Sequence, residues 1–436
     1  MMRRMLALAL CLLLVFGLMP GPAGAEGVTD AWGYTDEDGD GLILLPVAGK
    51  TFTGFLLIVL DPTRVAVACR PDRFYGRGYT VAEFAEDFHA AAAVNAGGFE
   101  DYDGNGDGSV PETLVVTGGE IFAGWQGVGN GFVGLDGAGW LQVGFSDSHD
   151  VTNRDIVEGV GYGPVLITDG VACDRSQSAF NYWEGTLNPR TVIAQRQDGA
   201  VLFLLAQGRE PNQLGASFAD CTELLLSYGA MTACNLDGGN SSQLWMNGDY
   251  LNNLPGSFRI RPIPTCYIVK EAGSGAWSTP EVPEEDRHGL TKAEREALLP
   301  SAVTGGEVPS EAEKQALADL ALRFAQRYVA FSADLNGLTN PNYSAILELV
   351  VPGGELQQHL HGAFGSFGYW QVYSCTLDTF EMPFCRLLSD GRYQVGVKYT
   401  TTTVGTKGVP VTEDKNLALT IVREDEKYLV EDMTFY

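Results

Sequence analysis

The sequence predicts an α+β protein: a larger, strand-rich domain with packed helices, followed by a smaller α+β domain. Three observations carry this prediction. Short apolar segments and two capped helices alternate through the first part of the chain. Near residue 271 the composition changes to proline, glycine, serine and acidic residues. One long amphipathic helix and a run of strands follow that stretch.

The length and net charge of the chain limit the classes of function that it can have. The chain has 436 residues, of which 45% are hydrophobic, enough to build two or three cores. It carries 28 basic and 55 acidic residues, a net charge of −27. Such a field repels phosphate backbones and anionic lipid, which excludes nucleic-acid binding by electrostatic attraction. A small phosphorylated ligand stays compatible, because a few arginines and backbone N–H groups can hold it.

The first 25 residues predict a secretory signal peptide. Arg3 and Arg4 precede an apolar run over 6–18, and Ala23-Gly24-Ala25 forms a small-residue cleavage site. The apolar run is too short to span a bilayer, and no later segment of the sequence is long and apolar enough. We therefore expect cleavage after Ala25, a secreted or extracytoplasmic protein, and no stable membrane insertion.

Seven cysteines follow the predicted cleavage site, so at least one is unpaired. Their sparse spacing indicates buried free thiols for the first five. Cys375 and Cys385 fall in two neighbouring predicted strands, so a cross-link between them stays open.

The first domain is predicted over residues 26–270. Alternating apolar residues predict strands over 52–60 and 64–69, and a helix over 81–89 begins at the cap Thr80. Ser217 and Asp220 form a capping box for a second helix over 218–228. The remaining predicted strands are 91–94, 113–117, 131–135, 139–144, 165–168, 190–196, 200–207 and 232–236.

Residues 271–310 predict a linker with a short helical piece around 291–299, and 311–436 predict a separate domain. An apolar stripe that includes Leu317 and Phe324 predicts a helix over 311–331. This helix, followed by a meander, resembles the NTF2-like α+β cone. Helical pieces are expected within 345–362, and strands over 369–381, 384–390, 392–404, 414–423 and 427–435.

Two buried strands of the first domain end in polar, glycine-rich turns. One turn contains Asn95, Gly97 and Gly98, and the other runs from Asp237 to Ser242. Glycine pairs let a ligand approach the backbone, and an acid at a strand end is typical of a ligand site. Two tight turns with capping side chains explain the same pattern, so spacing alone leaves both interpretations open.

Six segments together resemble the phosphodiester glycosidase family. The likeness covers about residues 50–270 and leaves out the C-terminal domain. The segments follow the family's order: 93–99 (AVNAGGF), 161–166 (GYGPVL) with Asp169-Gly170, 188–191 (NPRT), Gly208-Arg209, the helix that carries Glu223, and 235–242 (NLDGGNSS).

The resemblance implies a hydrolase that cleaves a sugar-1-phosphodiester at the anomeric C–O bond. The leaving phosphomonoester reduces the need for the strong general acid of ordinary glycosidases. Asp237 is the first candidate for the catalytic carboxylate, as base or nucleophile, and Glu223 is the second. Arg190 and Arg209 are the candidates for phosphate binding, because a guanidinium matches phosphate geometry. The other candidate substrate contacts are Asn95, Gly97, Gly98, Gly238, Gly239, Ser241 and Ser242.

Two positions depart from the family pattern. Gln207 stands where the family commonly has aspartate before Gly-Arg, and Asn240 stands where it commonly has a third glycine. The departures keep one alternative open, a glycan-binding protein without turnover. A structural role in exopolysaccharide export, with the C-terminal domain docking a partner, is a further alternative. For the hydrolase the expected partner is a phosphorylated glycan substrate of the cell envelope or an extracellular polysaccharide, and the sequence does not identify the sugar.

One loop also fits the EF-hand calcium pattern, with candidate ligands Asp101, Asp103, Asn105, Asp107 and Glu112. No amphipathic helix flanks this loop in the sequence, and a proline precedes the last ligand. A similar but less complete pattern occupies 36–41. We therefore expect hydrolysis to require no cofactor or metal, with Ca²⁺ as the alternative.

Overall fold

The structure is a computed structural model that describes residues 27–101, 106–123, 131–145, 152–176, 183–252, 260–273, 277–302, 305–334, 341–369, 374–405 and 408–436. The predicted signal peptide lies outside the described residues. Within the described part, no helix has the length and apolar character to cross a membrane.

The first domain is built from antiparallel strands, joined mostly by short turns. The strands are β1 Val28–Thr29, β2 Thr35–Asp36, β3 Leu42–Ala48, β4 Thr53–Val59, β5 Val65–Cys69, β6 Ala90–Asn95, β7 Val115–Thr117, β8 Glu120–Ala123, β9 Gly131–Asp136, β10 Leu141–Phe145, β11 Ile156–Tyr162, β12 Val165–Thr168, β13 Val171–Ala172, β14 Arg190–Arg196, β15 Val201–Ala206, β16 Ala230–Asn235, β17 Leu244–Met246, β18 Asp249–Tyr250 and β19 Thr265–Lys270.

Three sheets make up most of this domain. A seven-stranded sheet has the order β13-β12-β16-β14-β15-β4-β3, and two five-stranded sheets have the orders β18-β17-β6-β19-β5 and β10-β9-β11-β7-β8. Residues of all three sheets meet in one apolar core, where the rings of Phe203 and Tyr267 lie 5.6 Å apart. The sheets therefore pack face to face, and the residues between them are shielded from water.

Two helices, α1 Val81–Asp87 and α2 Phe218–Ser227, cover the outer faces of these sheets. In α1, Val81 and Phe84 pack against the sheet that contains β6 and β19. In α2, Phe218, Cys221 and Leu225 pack against the seven-stranded sheet. The order of layers is thus helix, sheet, sheet, helix.

The two helices begin equivalent helix–strand units. Each starts with a capping box, at Thr80 in α1 and at Ser217 in α2. Each helix leads into a buried strand, β6 or β16, that ends in asparagine: Asn95 or Asn235. Because the two strands belong to facing sheets of one core, the glycine-rich turns that follow them meet at the same edge.

The sequence predicted most of these elements and missed several strands. The predicted helix over 81–89 and the strand over 190–196 are confirmed as α1 and β14. Strands β3, β11 and β19 were not predicted. In β19 every residue but the last is buried, so the apolar–polar alternation that identifies a half-exposed strand is missing. In β11 the glycines 159 and 161 interrupt the apolar pattern.

Described residues of the segment 271–310 pack along the first domain. The segment contains a 3-10 turn, Glu284–Asp286, and a helix, α3 Lys292–Leu298. The indole of Trp32 donates to the carbonyl of His288 at 2.8 Å, and the Arg295 guanidinium lies 3.6 Å from the centre of the Tyr228 ring. The domain boundaries that we inferred from composition stay a prediction.

The C-terminal part places a long helix against an antiparallel meander, as predicted, with sheet order β20-β21-β22-β23. Its core contains Tyr328, whose ring lies 6.2 Å from that of Phe435. The NTF2-like resemblance stays a prediction. The elements are α4 Glu311–Ala333, α5 Pro341–Leu347, α6 Glu355–His361, β20 Ser374–Leu387, β21 Tyr393–Val404, β22 Pro410–Glu424 and β23 Lys427–Phe435.

The cross-link considered for Cys375 and Cys385 rested on a wrong assignment of strands. The predicted strands over 369–381 and 384–390 are one continuous strand, β20, with irregular pairing at its middle. Ten residues of strand separate the two cysteines by about 30 Å, far beyond the reach of a disulfide. Every cysteine in the described residues is a free thiol.

Candidate active site

A polar cavity of about 160 Å³ lies where the glycine-rich turns meet. Its walls combine three arginines with two aspartates, in a protein whose overall charge is strongly negative. The arginines are Arg190, Arg209 and Arg261, and the aspartates are Asp101 and Asp237. This cavity is the candidate active site.

The two turns predicted to share a site are joined directly. The amide of Asn95 donates to the carbonyl of Asp237 at 2.6 Å, and the Asp237 N–H donates to the carbonyl of Ala96 at 3.0 Å. The structure thus brings Asn95 and Asp237 together, although 142 positions separate them in sequence.

Asn95 supports the site from below and does not line the cavity. Its side chain is fully buried, and its carbonyl oxygen accepts from the Thr191 hydroxyl at 2.8 Å and from the Gln243 N–H at 3.0 Å. Both ends of the amide are therefore engaged by the protein. This arrangement fits a residue that holds the Asp237 turn more closely than one that contacts a sugar.

Asp237 occupies the cavity wall at the end of β16. Its carboxylate accepts from the Gly238 N–H at 2.9 Å. Burial raises the pKa of Asp237 to about 6, although the Ser241 hydroxyl, the charge of Arg261 and the Gly238 N–H oppose the rise. A carboxyl group with this pKa is mostly ionised at neutral pH and exchanges its proton under mild conditions, as a base, nucleophile or acid requires.

Arg190 is held rigidly in the cavity wall. Its guanidinium donates to the carbonyls of Ala216, at 3.0 Å, and Thr186, at 2.8 Å, and lies 4.0 Å from the centre of the Phe218 ring. Burial lowers the pKa of Arg190 to about 10, so the group remains charged at neutral pH. Carbonyl oxygens fix its orientation without neutralising its charge, which leaves a field suited to an anion.

Arg209 is fixed by two side-chain amides. It donates to the side-chain oxygen of Asn240 at 2.8 Å and to that of Asn188 at 2.7 Å. Gly239 lies against the guanidinium so closely that a Cβ there would be 3.0 Å from its Nη1 atom. Asn240, one of the two departures from the family pattern, is therefore part of the cavity and a direct partner of Arg209.

Gln207, the other departure, lies outside the cavity walls. Its backbone N–H donates to the carbonyl of Thr53 at 2.9 Å, and its side chain donates to the Thr53 hydroxyl at 3.4 Å. It thus ends β15 against the neighbouring strand β4.

Arg261 and Tyr162 line the cavity, and sequence reasoning missed both. The Arg261 guanidinium pairs with Asp101 and lies 4.6 Å from the centre of the Phe99 ring. Arg261 follows no motif, so only its charge in an acidic domain could have marked it. A Cβ on Gly98 would lie 2.4 Å from the Tyr162 ring, so the glycine of the turn is the signal for this close aromatic neighbour.

The remaining candidate contacts differ in their placement. Gly238 and Gly239 line the cavity, and a Cβ on Gly97 would lie 3.1 Å from the carbonyl of Gly161. Ser241 and Ser242 are buried in the turn behind Asp237 and do not line the cavity.

Glu223, the second candidate for the catalytic carboxylate, lies elsewhere. Its side chain is exposed on α2, whereas Phe218, Cys221 and Leu225 of that helix are buried. It is not one of the residues that line the cavity. Its mid-helix position is that of an ordinary solvated side chain, and the structure gives no support to a catalytic role.

The calcium pattern is only partly described. Asp103 and Asn105 lie outside the described residues. Asp101 pairs with Arg261 and accepts from the Gly106 N–H at 2.7 Å, and Asp107 accepts from the Ser109 N–H at 3.2 Å. Burial and the nearby Glu100 raise the pKa of Glu112. Asp101 thus pairs with a cavity arginine besides being a candidate calcium ligand. Binding of Ca²⁺ stays an untested alternative.

The less complete pattern at 36–41 brings three carboxylates together. Oxygens of Asp36, Asp38 and Asp40 lie within 4.8 Å of one another. Burial raises the pKa of Asp40 to about 6, and backbone N–H groups of the same loop donate to all three side chains. A bound cation at these three carboxylates stays untested, as it does for the first loop.

Comparison with known proteins relates one segment of the chain to a known family. Residues 88–270 match the family model of the phosphodiester glycosidases, which confirms the resemblance found in the sequence motifs. The N-acetylglucosamine-1-phosphodiester alpha-N-acetylglucosaminidase of Bos taurus is 26% identical over 218 residues, 46% of this chain and 40% of the bovine protein. The chain thus spans about two fifths of the length of that relative.

Two further similarities are shorter or more distant. A prophage-derived protein of Bacillus subtilis (strain 168), YomE, is 36% identical over 81 residues, 19% of this chain and 13% of that protein. The solved structure of the zebrafish N-acetylglucosamine-1-phosphodiester alpha-N-acetylglucosaminidase catalytic domain, auto-inhibited by its pro-peptide, aligns with a TM-score of 0.47 at 20% identity. That alignment covers 53% of this chain and 84% of the zebrafish chain.

Proposed function

We propose that this phosphodiester glycosidase domain hydrolyses a sugar-1-phosphodiester, releasing the free sugar and a phosphomonoester. The observation that carries the proposal is the cavity itself, where Asp237 faces a space bordered by Arg190 and Arg209. The family match and the bovine relative support the same reaction class. N-acetylglucosamine is the first sugar to test, because the relative's name specifies it.

The arginines act on the leaving group. In the reaction the bond between the anomeric carbon and the phosphate oxygen breaks, and its electron pair stays on that oxygen. Arg190 and Arg209 stabilise the phosphate charge as it grows, because their guanidinium groups are already fixed by protein partners. A phosphomonoester leaves readily, so no strongly acidic proton donor is needed.

Asp237 acts at the sugar. Its carboxylate stabilises the positive charge that develops at the anomeric carbon, as base or as nucleophile. As a base it takes a proton from the water whose oxygen forms the new bond to that carbon. The pKa of about 6 keeps enough basicity for this transfer while leaving the group ionised at neutral pH.

A second function is favoured by Asn240. This residue engages Arg209, one of the two phosphate candidates, where the family commonly has glycine. A glycan-binding protein that retains the anion site without turnover fits that contact. In both cases we propose an extracytoplasmic protein that meets cell-envelope or extracellular glycans, on the strength of the predicted signal peptide.

The experiment is a panel of sugar-1-phosphodiesters, led by an N-acetylglucosamine-1-phosphodiester, with release of free sugar measured for the wild type and Asp237→Asn. Turnover by the wild type alone supports the hydrolase. Saturable binding without turnover in either protein supports the glycan-binding alternative. Neither binding nor turnover with any member of the panel rejects both proposals.

A further inference from the structure

The cavity arginine Arg209 begins a short hairpin that reaches into the C-terminal domain. Residues 209–214, here called the arginine hairpin, close on themselves through paired backbone hydrogen bonds between Glu210 and Gln213, at 3.0 and 2.9 Å. Asn212 stands at the tip with a positive φ of 65°. Such a tight loop has few internal degrees of freedom, so a constraint at its tip also constrains its base.

The tip is buried in the C-terminal domain. Asn212 is 0% exposed, and its N–H donates to the Ser332 hydroxyl of α4 at 2.8 Å. Its side-chain amide donates to the Thr401 hydroxyl at 3.3 Å, and its side-chain oxygen accepts from the Tyr399 hydroxyl at 3.2 Å. Donors and acceptors of one asparagine are thus matched by a helix and a strand of the other domain.

Apolar contacts continue the same attachment. Leu214, at the end of the hairpin, and Leu187, in the segment before β14, are fully buried in the core of the C-terminal domain. The Leu187 N–H donates to the carbonyl of Gly362 at 3.0 Å. Thr186, whose carbonyl orients Arg190, directly precedes Leu187, so the support of the second arginine is attached to the same domain.

The arginine hairpin and the segment 183–188 contact each other closely where both meet the first domain. Gly215 has a φ of 113°, and a Cβ there would lie 2.5 Å from the carbonyl carbon of Asn188. Asn188 and Ala216 exchange backbone hydrogen bonds at 3.2 and 2.9 Å, and the Asn188 side chain accepts from Arg209. The hairpin and the segment at 183–188 therefore form one body, held at several points by the C-terminal domain.

We propose that the C-terminal domain is a positioning element of the active site. It binds Asn212 by hydrogen bonds and packs around Leu214 and Leu187. These contacts hold Arg209 and Arg190 in place in the cavity. The inference rests on the proposed function for its chemical meaning, because the arginines are assigned to the phosphate. It gives the C-terminal domain a role within this chain.

The test compares two tyrosines of the same strand in the full-length chain. Tyr399→Phe removes the buried hydroxyl that donates to Asn212, and Tyr393→Phe removes a part-buried hydroxyl that donates to Glu313 inside the C-terminal domain. Hydrogen exchange of residues 208–216 and the dissociation constant for inorganic phosphate are measured for both. Ser332→Ala provides a second disruption of the tip if Tyr399→Phe does not fold.

We expect faster exchange over 208–216 and about fivefold weaker phosphate binding in Tyr399→Phe, the effect of one neutral hydrogen bond. For a sugar-1-phosphodiester that the wild type hydrolyses, KM should rise more than kcat falls. Tyr393→Phe should leave all these quantities unchanged.

Equal exchange and equal phosphate binding in the Tyr399 and Tyr393 variants would overturn the proposal. Faster exchange in Tyr399→Phe, with a wild type that neither binds phosphate nor hydrolyses any diester, would sink the proposed function and leave the attachment of the hairpin standing. The two failures are therefore distinguishable.

Discussion

Replacing Asp237 by asparagine should make the protein more stable and inactive. Burial in the cavity wall raises the pKa of the carboxyl from an ordinary 3.8 to about 6. This rise corresponds to about 3 kcal/mol of free energy by which folding disfavours the charged form. The cavity admits water beside the group, so about 3 kcal/mol is an upper limit. Asparagine keeps the shape and the acceptor for the Gly238 N–H but carries no charge.

The sign of the pH dependence follows from linkage. A folded-state pKa above the unfolded value means that the stability contribution is complete below pH 3.8 and is lost as the pH rises to about 6. Above that pH the wild type carries the full cost. The free energy of unfolding of Asp237→Asn should therefore exceed that of the wild type at pH 7, and the difference should vanish towards pH 4.

The activity should change in the opposite direction. Loss of a carboxylate that stabilises charge at the anomeric carbon should lower kcat by about 10³-fold, equivalent to about 4 kcal/mol of barrier. In the wild type, kcat/KM should rise with pH through about 6, because the ionised carboxylate is the active form.

The assay combines urea unfolding of both proteins at pH 4 and pH 7 with release of free sugar from a sugar-1-phosphodiester. The wild-type rate is followed from pH 4.5 to 8. Near-normal activity in Asp237→Asn would refute the assignment of the carboxylate. A stability difference that is equal at both pH values would instead refute the assignment of the raised pKa.

Three further changes test other parts of the structure. Arg190→Lys should raise KM for the diester about tenfold, because an ammonium cannot reproduce the bidentate guanidinium, and it should also lower the free energy of unfolding, since the carbonyls of Ala216 and Thr186 lose donors; an unchanged KM would contradict its phosphate role. Gly98→Ala should lower the free energy of unfolding by about 1–3 kcal/mol, since the added methyl meets the Tyr162 ring; urea unfolding measures this, and an unchanged midpoint would show that the ring moves freely. Burial raises the pKa of Glu210 to about 8, so the stability that Glu210 contributes should be lost as pH rises from 4.5 to 8; the free energy of unfolding of Glu210→Gln should exceed that of the wild type by an amount that grows over this range, and a constant difference in parallel unfolding curves would contradict the raised pKa.

The sequence predicted those elements whose ends carry recognisable capping residues or glycines. Helix α2 begins at a capping box and ends before Gly229, whose φ is 84°, and both signals are in the sequence. Strand β19 has no such signal, because burial on both faces removes the alternation. The sequence predicted two strands where the structure has the single strand β20. Its pairing with β21 shifts between Glu381 and Phe384, and only the partner strand makes β20 continuous.

The site was predictable where residues stand beside glycine or proline. Asp237, Arg190 and Arg209 each adjoin a turn-forming residue, and all three line one cavity. Arg261 was missed, and Asp101 was named only as a calcium candidate, because the fold alone makes the two side chains neighbours in the cavity. Asn95 was found for its turn, but its hydrogen bonds to the Asp237 loop appear only in three dimensions.

The structure also separates the two departures from the family pattern. Gln207 contacts Thr53 at the end of a strand, so it bears on the attachment of β15 to β4. Asn240 lies in the cavity and accepts a hydrogen bond from Arg209, so it bears directly on the anion site. A glycine at 240 would offer no such acceptor. The Nη1–H group of Arg209 that now donates to Asn240 could then donate to a phosphate oxygen. Of the two departures, Asn240 therefore bears on the proposed anion site far more directly than Gln207.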